Sequence, residues 1–174
     1  WSSDVCSSDL LLAGLEARGR EGLVVVDRTD EPQKAPNIAK RRLAARVAPA
    51  DLERFLAANA TAVRGIFHLG ALTSTTERDR DALQAVNVVL SQTLWTWCAA
   101  RGVPFIYASS AATYGDGRTG FDDDGRSDAL AHLKPLNPYG ESKHTFDLWV
   151  ARTVEAGGAA PPRWAGLKFF NVYG

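Results

Sequence analysis

Tyr139 and Lys143 stand four positions apart. On a helix that spacing puts both side chains on one face, one turn from each other. An ammonium beside a phenol favours the phenolate and lowers the tyrosine pKa from its ordinary value of about 10. A tyrosine so placed accepts a proton from an alcohol near neutral pH. Alone, Tyr-x-x-x-Lys is a weak signal, because a helix that starts with a tyrosine and carries a solvated lysine has the same spelling.

Two further features strengthen it. The run Ser109-Ser110-Ala111-Ala112-Thr113-Tyr114-Gly115 directly follows an apolar, strand-like segment. In a doubly wound sheet, ligands bind beyond the carboxyl ends of the strands, so a hydroxyl there meets the reacting alcohol. A serine at a strand end with Tyr-x-x-x-Lys about thirty residues later is much rarer than either feature alone. Asp27 closes another apolar run, Leu23–Val26, where an acid is placed for adenosine ribose hydroxyls.

The elements that must hold these residues read as an alternation. The pattern predicts a helix over 10–20 ending near Gly19, then a buried parallel strand over Leu23–Val26. Residues 28–50 are rich in charge and proline, with a weak strand near Leu43–Val47, and Asp51 caps a helix through Asn59. A second apolar strand spans 65–69. The strongest helix spans 81–100, with Leu83, Val86, Leu90, Leu94, Trp97 and Cys98 at three- and four-residue steps. A strand over 104–108, a polar loop over 116–137, a helix from Pro138 to about Glu155 and a last strand over 165–170 complete the pattern. Apolar strands alternating with helices imply an α/β fold, a doubly wound parallel sheet of Rossmann-like type.

Bulk properties narrow the class. The 174 residues fit one domain, and a formal net charge of zero carries no electrostatic footprint for nucleic acid. No apolar run reaches the length of a membrane span. Cys6 and Cys98 form neither a metal motif nor a disulfide framework, as expected for a cytoplasmic protein. The chain contains no methionine. Residues 1–9 show neither helical nor strand periodicity and read as a non-native leader. Residues 10–174 then form a partial dinucleotide-binding domain. Asp122, Asp123 and Asp124 read as a solvated loop rather than a metal site. His132 and His144 are expected at the surface and His68 in a structural role, while Trp95 and Trp97 are open between core and subunit contact.

With these motifs in view, the chain resembles the extended short-chain dehydrogenase/reductase superfamily and, within it, the bacterial ADP-glyceromanno-heptose 6-epimerase family. The stretches that carry the likeness are Phe67-His68-Leu69-Gly70-Ala71 with Ser74-Thr75-Thr76-Glu77, Tyr107–Gly115, Lys134–Gly140 with Ser142-Lys143, and Phe169–Gly174. The resemblance implies Tyr139 as the acid/base, with Lys143 supporting it and binding the nicotinamide ribose, and Ser110 orienting the substrate hydroxyl. It implies Asp27, Arg28 and Lys34 around the adenosine end, and Leu69, Gly70, Ala71, Thr73 and Asn87 along the cofactor. Val172 is implied near the nicotinamide and Asn171 on the substrate. The implied reaction inverts carbon 6 of an ADP-linked heptose through transient oxidation. Arg28 and Lys34 suit a 2′-phosphate, so NADP is expected, with NAD as the alternative. A homo-oligomer is expected for the full-length enzyme.

The chain also departs from that family. No Gly-x-x-Gly-x-x-Gly turn precedes Leu10, so the first strand and its pyrophosphate cradle are missing from the pattern. The family's second base falls past Gly174, most of the substrate domain is absent, and Leu52 lies near a position where the family has a lysine. The fold is therefore expected to be truncated at both ends, and the chain by itself to be inactive and unstable. Other readings are a nucleotide-sugar 4-epimerase or 4,6-dehydratase, and a non-catalytic dinucleotide-binding regulator. Ala111 and Ala112 supply no acid where dehydratases carry an acidic pair, and the intact Tyr139 and Lys143 speak against a regulator.

Overall fold

The computed structural model describes residues 3–28 and 39–171, with side chains from Ser8 onward. Lys34 and Val172 lie outside the described residues. The described chain divides into two units, Arg64–Phe170 and the remainder, and each has its own parallel sheet.

The first unit contains α1 (Ser3–Ala17), β1 (Leu23–Val26), β2 (Leu43–Val47), a 3₁₀ turn (Pro49–Asp51) and α2 (Leu52–Ala58). Helix α1 begins inside the stretch read as a leader without periodicity. The reason is that polar ties, not an apolar stripe, hold this helix. Arg41 donates to both Asp9 carboxylate oxygens at 2.6 and 3.0 Å, and the Arg42 amide donates to Glu16 at 2.5 Å. A reading of hydrophobic period does not register such ties. Asp51 sits at the α2 N-cap, but its carboxylate pairs with Arg54 at 2.7 Å instead of accepting a helix amide.

Strand β1 pairs in parallel with β2, from Leu23 opposite Leu43 to Val26 opposite Val47. The expectation of a buried strand is corrected here. Among the described residues β1 is bonded on one edge only, and Val26 is 39% exposed.

The second unit contains β3 (Ile66–His68), a long helix α3, β4 (Phe105–Ser110), a 3₁₀ turn (Ala111–Tyr114), α4 (Ser127–Leu130), α5 (Pro138–Glu155) and β5 (Trp164–Phe169). Helix α3 comprises α-helical Arg80–Leu83, π-helical Gln84–Val89 and α-helical Leu90–Arg101. The strands run parallel in the order β3-β4-β5, with Phe105 opposite both Ile66 and Trp164. Their core is Phe105, Trp95, Leu83, Val88, Phe146 and Val150, all nearly or fully buried. Trp95 meets Phe105, Trp149 and Trp164 edge to face, and its indole N–H donates to Ala159 O at 3.1 Å. That assigns Trp95 to the core, whereas Trp97 is half-buried with Arg101 over its ring.

Three local expectations change. The buried face of α3 runs through Leu83, Asn87, Val88, Ser91, Leu94, Trp95 and Cys98, while Val86, Leu90 and Trp97 are only half-buried. Asn87 and Ser91 on that face are polar, so steps counted over apolar residues pass them by and take Val86, Leu90 and Trp97 at its margin. The polar loop contains α4, tied by Ser127, whose backbone N and Oγ both donate to Glu155. The single doubly wound sheet is two sheets, β1-β2 and β3-β4-β5.

Candidate active site

Helix α5 starts cleanly at the site. Asn137 caps it by accepting from the Gly140 amide at 2.7 Å, and Pro138 occupies the first turn, where its missing N–H costs nothing. This start sets Tyr139 in the first turn and Lys143 one turn on. Gly140 is required by close approach, since a Cβ there would lie 2.8 Å from Ala112 O. The first turn of α5 is therefore pressed against the 3₁₀ turn that follows Ser110. Gly115, at φ 69°, ends that turn where a side chain would strike Lys134 O.

Lys143 is 4% exposed and donates from Nζ to Ala108 O at 2.9 Å. Ala108 lies two residues before Ser110 on β4. Ser110 is buried, accepts from the Ala112 amide at 3.1 Å, and its carbonyl accepts from Thr113 Oγ1 at 2.8 Å. The structure thus brings α5, with Tyr139 and Lys143, onto the carboxyl end of β4, with Ser110. Tyr139 is half-buried.

The segment after β3 forms the adjoining wall. Leu69, Ala71 and Thr73 are half-buried and Gly70 is exposed. Asn87, fully buried in the π segment, accepts from the Leu72 amide at 2.8 Å and donates to Leu72 O at 3.0 Å. The same amide donates to Ser142 Oγ at 2.9 Å, and Ser142 Oγ donates to Tyr139 O at 2.7 Å. Asn87 therefore holds the Leu69–Thr73 segment against α5 through protein partners. Ser91 Oγ donates to Asn87 O at 2.8 Å, so it accepts from His68 Nε2–H at 2.9 Å. Burial first, and the nearby Lys143 charge second, depress the His68 pKa to about 3. His68 is a neutral, structural histidine, as expected.

Beneath this wall lies a cluster that the motifs did not reveal. Asp147, 6% exposed, accepts from Ser109 Oγ and from Lys168 Nζ, each at 2.6 Å. Lys168 also donates to Thr113 Oγ1 at 2.8 Å and lies 5.2 Å from the Tyr114 ring centre. Burial, then the Asp147 charge, raise the Tyr107 hydroxyl above its usual range. Sequence signals existed: Asp147 follows Tyr139 by two helical turns, and Lys168 is a cation inside an otherwise apolar strand.

His144, expected at the surface, is half-buried; its Nδ1 is enclosed without a hydrogen-bond partner, and burial lowers its pKa. The ring faces a cleft with Val88, Leu148 and Trp149. His132 is exposed. Asp124 pairs with Arg126 at 2.9 Å, and no group of three potential metal ligands occurs among the described residues. No described helix is long and apolar enough to cross a membrane.

In the first unit, Asp27 follows β1, donates its amide to Val47 O at 3.2 Å and accepts from the Arg28 amide at 2.7 Å. Arg28 and Asn171 are exposed. These three belong to the unit that does not contain Tyr139.

The model of the NAD dependent epimerase/dehydratase family matches residues 9–174. An ADP-L-glycero-D-manno-heptose-6-epimerase of Fusobacterium nucleatum is 40% identical over 162 residues, 92% of this chain and 48% of that protein. The solved ADP-L-glycero-D-manno-heptose-6-epimerase of Helicobacter pylori superposes with a TM-score of 0.74 at 23% identity, covering 98% of this chain and 53% of that one. The UDP-glucuronic acid 4-epimerase of Bacillus cereus, solved in complex with NAD, gives 0.70 at 22% identity, covering 95% and 54%. The chain spans about half the length of the curated relatives it matches.

Proposed function

The chain belongs to the NAD dependent epimerase/dehydratase family, and from that premise we propose that its gene product inverts carbon 6 of an ADP-linked glycero-manno-heptose. The observation that carries this reading is Lys143, one turn past Tyr139, with Nζ bonded to the β4 carbonyl two residues before Ser110. Three groups with complementary proton chemistry thereby share one strand end. Ser110 Oγ orients the substrate hydroxyl. Tyr139 takes its proton as the alcohol becomes a ketone, and gives a proton back when the alcohol reforms with the opposite configuration. Lys143, one helical turn on from Tyr139, supplies the cation of the set.

In the second unit, Lys143 and the half-buried Leu69–Thr73 wall would hold a nicotinamide ribose. In the first unit, Asp27 and Arg28 carry groups suited to an adenosine ribose. When bound, the dinucleotide supplies the hydride acceptor for oxidation and the hydride donor for the return. We assign NADP, on Arg28 together with Lys34, and keep NAD as the alternative because Asp27 suits a free ribose 2′-hydroxyl. The relatives' names support the ADP-heptose substrate. We keep a homo-oligomer as the expectation for the full-length protein, and nucleotide-sugar chemistry supports a cytoplasmic site of action.

The test is to incubate the gene product that carries this sequence with ADP-D-glycero-D-manno-heptose and NADP or NAD, and to follow carbon 6 by NMR. Epimer formation supports the reading. Absence of the epimer, with turnover of a UDP-sugar instead, replaces it with a 4-epimerase.

A further inference from the structure

We propose that Asp147 and Lys168 are positioning residues whose ion pair sets the spacing between Ser110 and the Tyr139–Lys143 helix; this rests on the reading of those three residues as the reacting constellation.

The pair lies where three elements converge. Asp147 belongs to α5, on the face of Tyr139 and Lys143 at i+8 and i+4. Lys168 belongs to β5, and Ser109 and Thr113 flank Ser110 on β4 and its turn. One carboxylate oxygen, Oδ2, accepts from Ser109 Oγ on β4 and from Lys168 Nζ on β5. Lys168 passes the restraint on, because Thr113 Oγ1 accepts from Nζ and donates to Ser110 O. Ser110 is therefore gripped from both sides, through Ser109 before it and Thr113 after it. Both grips end on the helix that carries Tyr139.

Charge makes the grip specific. Charge-assisted bonds are shorter and stronger than neutral ones, and both bonds to Oδ2 are at 2.6 Å. Removing one partner leaves the other buried and uncompensated, so the elements move to let water reach it. Asp147 Oδ1 is enclosed and has no hydrogen-bond partner among the described residues, so the charge-assisted bonds of the carboxylate fall on Oδ2. A shift of about 1 Å between a nucleophilic or basic group and its substrate costs on the order of 10²-fold in turnover. Substrate and dinucleotide affinity depend far less on that spacing than the proton transfer does.

The experiment compares four variants of the gene product. Asp147→Asn is expected to lower kcat roughly 30- to 100-fold while KM and dinucleotide affinity stay within about threefold. Lys168→Arg keeps the charge and the reach and should restore near wild-type kcat. Lys168→Met should match Asp147→Asn. Should the single variants fail to fold, the double Asp147→Asn/Lys168→Met removes both charges together, a change buried pairs tolerate in stability, and should still show the kcat loss. Wild-type kcat in folded Asp147→Asn or in the double variant overturns the proposal, as does a loss in Lys168→Arg equal to that in Lys168→Met. If the wild type turns over no ADP-heptose, the functional reading fails separately. The proposal is then read from amide exchange: Asp147→Asn must accelerate exchange over residues 109–114 and Lys168→Arg must not, and equal exchange in both sinks it.

Discussion

The two units contain the same ingredients, parallel strands with helices after them, and differ in where their polar groups sit. In Arg64–Phe170, Asn87, Ser91, Ser109, Thr113, Ser142, Lys143 and Asp147 are buried and bond to one another or to backbone. In the unit before it, the tying groups are Asp9, Glu16 and Arg41, at or near the surface around a small core of Leu12, Val47 and Leu56. The three-stranded sheet has a strand bonded on both edges, β4, whereas among the described residues β1 and β2 pair with each other alone. A two-stranded sheet is marginal without further partners. Buried polar groups demand fixed geometry, and the proposed acid/base pair falls in the unit whose core can enforce it.

The largest test of this contrast is Tyr139→Phe. It removes one hydroxyl from the enforced unit and should cut epimerisation by about 10²–10⁴-fold with dinucleotide binding retained, as measured by turnover and fluorescence titration. Asp27→Asn, in the other unit, should weaken dinucleotide binding and leave kcat at saturation nearly unchanged. Equal kcat losses for both would erase the contrast.

Hydrogen exchange compares the units directly. Amides of β4 and α5 should exchange at least roughly 10²-fold more slowly than those of β1 and β2, because central elements exchange by global opening and edge elements by local opening. Uniform protection across both sheets would show that the chain unfolds as one cooperative body.

Acid sharpens the comparison through His68. Its folded pKa is about 3 against an ordinary 6.5. Between those values the unfolded chain binds a proton that the folded chain refuses, so stability falls as pH drops through that window, by up to about 1.4 kcal/mol per pH unit. The loss should appear in thermal melts of the second unit. His68→Gln, which keeps a donor for Ser91, should flatten it.

Asp9 gives the smallest effect, of the same sign and at lower pH. Arg41 holds its carboxyl below the ordinary 3.8. The stabilisation is present above that value and lost as pH falls through the lower folded pKa. Because Asp9 is partly exposed, Asp9→Asn should shift melting only slightly, and the shift should shrink further in high salt.

Much of this was legible from residue types. The α5 bounds follow from Asn137-Pro138 at one end and the Gly157-Gly158 break at the other, because caps and breakers act locally. Four of the strands were visible as apolar runs, and β2 only weakly, since Arg46 interrupts it. Helix α1 before Leu10 was not legible, because its ties to Arg41 and Arg42 span more than twenty residues. The same holds for the site. Tyr139 and Lys143 announce themselves by spacing, but Asp147 and Lys168 become partners only once β5 is laid beside β4.

The π-helical stretch Gln84–Val89 has a consequence for how this gene can change. A π turn is an α-helix holding one residue too many. Deleting any single residue there would let the helix close as a regular one. The bulge takes up its extra residue within one wider turn, so Arg80–Leu83 and Leu90–Arg101 would keep their phase across the deletion. What would go is the deleted side chain, and for Asn87 that means the bonds to Leu72 and Ser142. A one-codon loss here would thus spare the helix and cost only the residue it removes.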